Sequence, residues 1–186
     1  MSEPLRKSDL DLLHPKVKKM TLLLLQRAQE AGLNVDVFET FRTNERSDWL
    51  YTQGRTLARG GSSYHNYGVA VDIVFKDAND QWTWNSAQWK QLGYIGKQIG
   101  FEWGGDWRSF PDSPHFQYTF GLSVSNLLNG QRPPEEDVFA TFKDWSVDSK
   151  LWNDSNWDHP LTKQELAKVL NSFVKYLEYN YHINHK

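Results

Sequence analysis

The chain has 186 residues, a formal net charge of −2 and no cysteine. This length fits one domain, or one domain with a small appendage, and so low a net charge gives no indication of a nucleic-acid partner. Without cysteine there is no disulfide, thiolate ligand or cysteine nucleophile, so any metal site must use histidine, aspartate and glutamate.

Short strands alternate with helices over the first 120 residues. Hydrophobic periodicity predicts three helices, over residues 15–31, 43–51 and 86–99. Short apolar runs between turn residues predict five strands, over residues 33–40, 69–75, 81–84, 101–103 and 115–118. This order indicates an α+β domain, with a small antiparallel sheet and flanking helices.

The C-terminal part of the chain has a different character. Residues 126–137 are rich in proline, glycine and acidic residues, as is typical of a linker. Three tryptophans then stand among polar residues, at Trp145, Trp152 and Trp157. The segment 162–165 matches a capping box, and an apolar stripe of helical spacing follows it. We expect a main domain over 1–125 and a small helical extension over 126–186.

One aspartate lies within an apolar strand. Asp72 stands between Val71 and Ile73, where an unpaired charge would be very costly. Its carboxylate must therefore be paired, protonated or bound to a metal. The glycine- and serine-rich segment before this strand carries His65, seven residues from Asp72.

A second acid and histidine, Asp112 and His115, follow downstream. With His65 and Asp72 they offer two imidazoles and one carboxylate for a metal, and one further acid for chemistry. Three protein ligands and one open position are what distinguish a catalytic zinc from a structural one. The simpler alternative is an ordinary loop histidine beside an aspartate that accepts backbone hydrogen bonds.

These motifs resemble a family of zinc peptidases. Three segments in the same order carry the resemblance, residues 63–72, 103–107 and 112–116, and segments 38–43 and 50–56 extend it. The family comprises the D-Ala-D-Ala carboxypeptidases and the L-alanyl-D-glutamate endopeptidases, which cut the stem peptides of peptidoglycan. Within it, the chain most resembles the phage endolysins of the endopeptidase branch. The C-terminal extension is outside the resemblance.

The resemblance implies roles for five residues. His65, Asp72 and His115 would bind Zn²⁺, and Asp112 would act as the general base. Arg42 would bind substrate and stabilise the developing oxyanion.

Two positions depart from the family pattern. Arg46 stands where relatives often have glutamine, and Gln117 follows His115-Phe116 where glutamate is common. Neither departure removes a metal ligand, so both bear on substrate contacts more than on activity.

The function implied by the resemblance is that of a zinc-dependent peptidoglycan hydrolase, an endolysin that cleaves the L-Ala–D-Glu bond. The alternatives are a D-Ala-D-Ala carboxypeptidase and a non-catalytic wall-binding module of the same fold. We expect a monomer that acts on stem peptides, without a nucleic-acid partner or membrane insertion. The N-terminus lacks the apolar core of a signal peptide, so we expect synthesis in the host cytoplasm and action on the wall after release. The extension would either bind the wall or pack on the core.

Overall fold

The protein was analysed as a computed structural model, which describes residues 2–134 and 162–181. The chain divides into two compact units, Met1–Pro134 and Glu135–Lys186. The first unit contains the sheet and the candidate site. In the second unit, one helix is described at the place that the apolar stripe predicts. The tail tryptophans lie outside the described residues, so the division at 125/126 and the role of the extension stay predictions.

The described residues form an α+β fold, as the sequence predicts. The helices are α1 Pro15–Glu30, α2 Asn44–Thr52, α3 Trp89–Ile99, α4 Val124–Leu128 and α5 Lys163–Tyr181. The strands are β1 Val35–Glu39, β2 Ala70–Lys76, β3 Trp82–Thr83, β4 Glu102–Trp103 and β5 His115–Gln117. Short 3₁₀ segments occur at Leu10–Leu12, Tyr64–Tyr67 and Gly104–Asp106. Within these residues, no helix combines the length and apolar character needed to cross a membrane.

The five strands form one antiparallel sheet in the order β1-β2-β5-β4, and β3 pairs with the end of β2. The register sets Asp72 of β2 opposite His115 of β5 on one side and opposite Glu39 of β1 on the other. Three polar residues from distant parts of the sequence therefore stand in one row across the sheet.

The hydrophobic core lies on one face of the sheet and leaves this polar row on the opposite face. Val71, Ile73 and Phe75 of β2 belong to the core cluster, together with residues of α1 and α3. Because side chains alternate along a strand, Asp72 projects from the opposite face.

Two glycines of α3 permit close packing on the sheet. A Cβ at Gly93 would lie 2.3 Å from the Trp103 ring, and one at Gly96 would lie 2.4 Å from the Phe116 ring. Both distances are shorter than carbon atoms tolerate, so α3 approaches the core only because these residues lack a side chain. Trp103 is thereby a core residue, and 8% of it is exposed.

Candidate metal centre

Three separate elements bring His65, Asp72 and His115 together. Asp72 and His115 face each other across β2 and β5, while His65 lies in the 3₁₀ segment that precedes β2. Gly68 ends this segment with a φ of 67°, and a Cβ there would lie 2.6 Å from the carbonyl oxygen of Leu12. Glycine is required for this turn, which joins the histidine-bearing segment to the strand that carries Asp72.

The three potential ligand atoms form a nearly equilateral triangle. Nε2 of His65 lies 3.1 Å from Oδ1 of Asp72 and 3.1 Å from Nδ1 of His115, which is itself 3.2 Å from Oδ1 of Asp72. A tetrahedral zinc with bonds of about 2.0–2.1 Å separates its ligand atoms by about 3.3 Å. All three residues are buried. Among the described residues, this is the group of histidines and acids that could hold a metal ion.

Hydrogen bonds on the far side of each ring fix which nitrogen faces the centre. Nδ1–H of His65 donates to the carbonyl of Thr40 at 2.7 Å, so Nε2 carries the lone pair. Nε2–H of His115 donates to Oε1 of Gln117 at 2.9 Å, which leaves the lone pair on Nδ1. The amide of Gln117 donates in turn to Glu102 at 2.9 Å, and this sets its orientation.

When both rings are neutral, two nitrogen lone pairs and a carboxylate oxygen therefore converge on one point. Such an arrangement is repulsive unless a cation occupies the middle. Two imidazoles and one carboxylate form a donor set that suits zinc and related divalent ions, and outer hydrogen bonds of this kind are the usual way to orient ligating histidines.

The electrostatics of the cluster are dominated by Asp72. Burial opposes ionisation of its carboxyl, but the charges and hydrogen bonds of His65 and His115 outweigh burial and hold the pKa of Asp72 well below its usual value. Burial by itself would lower the pKa of His115. The hydrogen bond between His115 and Asp72 and the negative charge of Asp72 outweigh burial, so the pKa of His115 lies above its ordinary value. The cluster thus attracts positive charge, which a metal ion supplies by displacing protons.

Asp112 lies beside this centre on a tight turn. Its backbone N–H donates to the carbonyl of Gly104 at 2.9 Å, and its carbonyl accepts from the N–H of His115 at 3.2 Å. A Cβ at Gly104 would lie 2.5 Å from the carbonyl oxygen of Asp112, so the turn requires glycine there. Burial, followed by the nearby charge of Asp72, raises the pKa of the Asp112 carboxyl. A carboxyl that holds its proton more readily than usual is suited to proton transfer.

Arg42 reaches the same centre from the other side. Its guanidinium Nη2 lies 3.2 Å from Oδ2 of Asp72, and its Nε donates to Oε2 of Glu39 at 2.8 Å. Glu39 is 1% exposed, and its second oxygen accepts from Nε of Arg46. Arg46 in turn pairs with Glu3 at 2.9 Å. Arg46, which stands where relatives often have glutamine, is thus part of an ion-pair chain that ends at Asp72.

The sequence-predicted site residues are therefore brought together, and the structure adds two residues that the sequence did not single out. Glu39 holds Arg42, and the carbonyl of Thr40 orients His65. The structure also gives Gln117, which the sequence marked only as a departure from the family pattern, the role of orienting His115. An alternating strand pattern could have marked Glu39, but its burial depends on pairing with β2, which is not visible locally.

Among the residues that the structure describes, two cavities flank the cluster. The Trp107 cavity, of about 380 Å³, is lined by His65, His115, Trp107 and Phe110 among others. The Trp84 cavity, of about 530 Å³, is lined by Asp72 and by residues that include Phe38, Arg55, Trp82 and Trp84. Arg42, Thr56 and Asp112 line both. The ring of Trp107 lies 5.1 Å from the ring of His115.

Comparison with known proteins identifies the family. Residues 56–118 match the family model described as D-alanyl-D-alanine carboxypeptidase. The peptidoglycan L-alanyl-D-glutamate endopeptidase CwlK of Bacillus subtilis (strain 168) is 39% identical, over 56% of this chain and 72% of that protein. The chain belongs to this family of peptidases. The family assignment makes it a metallopeptidase and confirms the predicted resemblance.

Two further relatives agree with this assignment. The L-alanyl-D-glutamate peptidase of Listeria phage A118 is 34% identical, over 59% of this chain and 42% of that protein. The crystal structure of the Serratia marcescens L-Ala D-Glu endopeptidase ChiX has a TM-score of 0.51 and 27% sequence identity, and the match covers 63% of this chain and 92% of that chain. The family's fold is thus shared with a solved endopeptidase.

Proposed function

We propose that the protein is a zinc-dependent peptidoglycan hydrolase that cleaves the L-Ala–D-Glu bond of the stem peptide. The observation that carries the proposal is the convergence of two imidazole nitrogens and a carboxylate oxygen within 3.2 Å of one another. His65, Asp72 and His115 would hold the zinc. The relative from Listeria phage A118 supports the role of an endolysin.

Zinc bound at this site would polarise the scissile carbonyl and make a water molecule nucleophilic near neutral pH. Asp112 would accept a proton from the attacking water and return it to the leaving amine, as its raised pKa favours. Arg42 would present fixed donors where negative charge develops on the carbonyl oxygen, because Glu39 and Asp72 hold its guanidinium in place.

Two observations favour the endopeptidase over the carboxypeptidase. Two of the relatives, CwlK and the phage peptidase, are named for the L-alanyl-D-glutamate bond. The cavities also extend to both sides of the cluster. An endopeptidase must bind a chain that continues on both sides of the scissile bond, whereas a carboxypeptidase needs room for only one residue on the carboxyl-terminal side of that bond.

Mass spectrometry of digested muropeptides tests the proposal. We expect fragments with a new D-Glu amino terminus, while L-Ala stays attached to the sugar. Release of free D-Ala alone would replace the endopeptidase by the D-Ala-D-Ala carboxypeptidase. Wall binding without any product would favour the non-catalytic module. As a matched pair, Asp112→Ala should retain zinc without activity, and His65→Ala should lose the metal.

A further inference from the structure

Two tryptophans stand exposed at the rim of the Trp84 cavity. Trp82 is 37% exposed and Trp84 is 52% exposed. Both rings pack edge-to-face on Phe38, with ring centres 5.8 Å and 4.9 Å away. Adjacent large aromatic side chains left in solvent beside a cavity are a common mark of a binding surface.

These rings are supported from behind by several contacts. Trp82 pairs with Lys76 in the β2–β3 ladder, and the carbonyl of Trp84 accepts from Nε1 of Trp89 at 3.2 Å. The guanidinium carbon of Arg6 lies 3.9 Å from the centre of the Phe38 ring. The aromatic surface formed by Phe38, Trp82 and Trp84 is therefore in place before any ligand binds, which lowers the entropic cost of binding.

The surface is continuous with the candidate metal centre. Asp72 and Asp112 line the same cavity as Trp82 and Trp84. Its volume of about 530 Å³ lies within the range of about 300–1,000 Å³ for small-molecule sites. The exposed guanidinium of Arg55, 5.5 Å from the centre of the Trp49 ring, and the side chain of Thr56 add hydrogen-bond donors.

We propose that the Trp84 cavity binds the amino sugar that carries the stem peptide. This inference rests on the proposed function, because L-Ala is joined to the lactyl group of that sugar. A cut between L-Ala and D-Glu therefore places a sugar ring one residue from the reacting bond. The apolar face of a pyranose stacks on indole rings, and its hydroxyl and acetamide groups match Arg55 and Thr56. The remainder of the peptide lies in the Trp107 cavity.

The test compares two substrates that differ only in the sugar. One is a disaccharide-linked stem peptide and the other is the same peptide without sugar, each at the same pH and zinc concentration. We expect the wild type to prefer the sugar-linked substrate in kcat/KM. In Trp84→Ala this preference should fall about tenfold, through a higher KM for the sugar-linked substrate. Trp84→Phe should keep most of the preference.

Tyr94→Ala is the matched control, because Tyr94 is an aromatic residue on α3 that is 62% exposed and does not line either cavity. Its preference should equal that of the wild type. Thermal melting of each variant separates lost binding from lost folding, and Trp82→Ala serves as a second variant if Trp84→Ala does not fold.

Equal losses on both substrates would show that the cavity holds peptide, and an unchanged preference would show that it holds no part of the substrate. Either result overturns the inference and leaves the proposed function standing. If the wild type cleaves the L-Ala–D-Glu bond equally well with and without sugar, only the inference falls. If it cleaves that bond in neither substrate, the proposed function fails and the inference fails with it.

Discussion

Replacement of Glu39 by glutamine tests the ion-pair chain behind the metal centre. Glu39 is 1% exposed and accepts from Nε of Arg42 at 2.8 Å and from Nε of Arg46. Glu39→Gln keeps the shape of the side chain, removes its charge and turns an amide N–H₂ towards one guanidinium. Removal of one partner from a buried ion pair typically costs about 3–5 kcal/mol.

We expect the lower end of this range, about 3 kcal/mol, since both arginines keep another carboxylate. Arg42 retains Asp72 at 3.2 Å and Arg46 retains Glu3 at 2.9 Å. This loss is a large fraction of the total stability of a domain, about 5–15 kcal/mol. The kcat of the zinc-loaded variant should fall as well, because Arg42 loses a group that fixes its orientation.

Urea denaturation of the metal-free protein in EDTA measures the change in the free energy of unfolding. Glu3→Gln is the matched control, because its side chain is 49% exposed and an exposed pair contributes little. A loss below about 1 kcal/mol for Glu39→Gln, or equal losses for the two variants, would refute the reasoning that Glu39 anchors two buried guanidinium groups.

Further predictions concern three residues around the centre. Asp112→Asn should abolish peptide hydrolysis while zinc content, measured by mass spectrometry, is kept. Burial and the charge of Asp72 raise the pKa of Asp112 in the folded state. The folded protein therefore holds this proton more tightly than the unfolded chain does, and its free energy of unfolding falls as the pH rises from the ordinary pKa of an aspartate to the raised pKa of Asp112. The metal-free Asp112→Asn variant should therefore melt higher than the wild type at pH 7, and the gain should vanish below its ordinary pKa. Arg42→Lys should lower kcat about 10²–10³-fold in peptide hydrolysis assays, because the fixed donors are lost. Gln117→Ala should weaken zinc binding about 10–100-fold in chelator competition.

The outcomes that contradict these predictions are distinct. Normal hydrolysis by Asp112→Asn would remove its assigned role, and an equal or lower melting temperature at pH 7 would contradict the raised pKa. A rise in KM alone for Arg42→Lys would show that Arg42 binds the ground state. Gln117→Glu keeps an acceptor for His115 and should bind zinc nearly as well as the wild type, so a loss equal to that of Gln117→Ala would argue against orientation of the ring.

The sequence predicted much of this fold because local signals were strong. The apolar spacing predicts α1 to within one residue at each end, and it predicts the end of α3, which begins at Trp89 and not at residue 86. The sequence did not predict α4, which begins just before the predicted linker and ends within it. Its Ser123–Asn126 capping box and the burial of Leu127, which is 1% exposed, favour a helix there.

What the sequence could not supply depends on pairing between distant segments. The row formed by Glu39, Asp72 and His115 exists only because β1, β2 and β5 adopt one register. The sequence marked Arg46 only as a departure that bears on substrate contacts, and its pairing with Glu39 and Glu3 could not be predicted. The roles of the five predicted site residues stay predictions until variants are measured.

A zinc titration of metal-free protein tests the central claim most directly. Zinc bound per chain and hydrolysis of the stem peptide are measured in the same samples. We predict that activity rises linearly to a maximum at one zinc per chain, and that His115→Ala shows neither tight binding nor activity. Full hydrolysis by the metal-free protein, or undiminished zinc binding by His115→Ala, would contradict a catalytic zinc held by His65, Asp72 and His115.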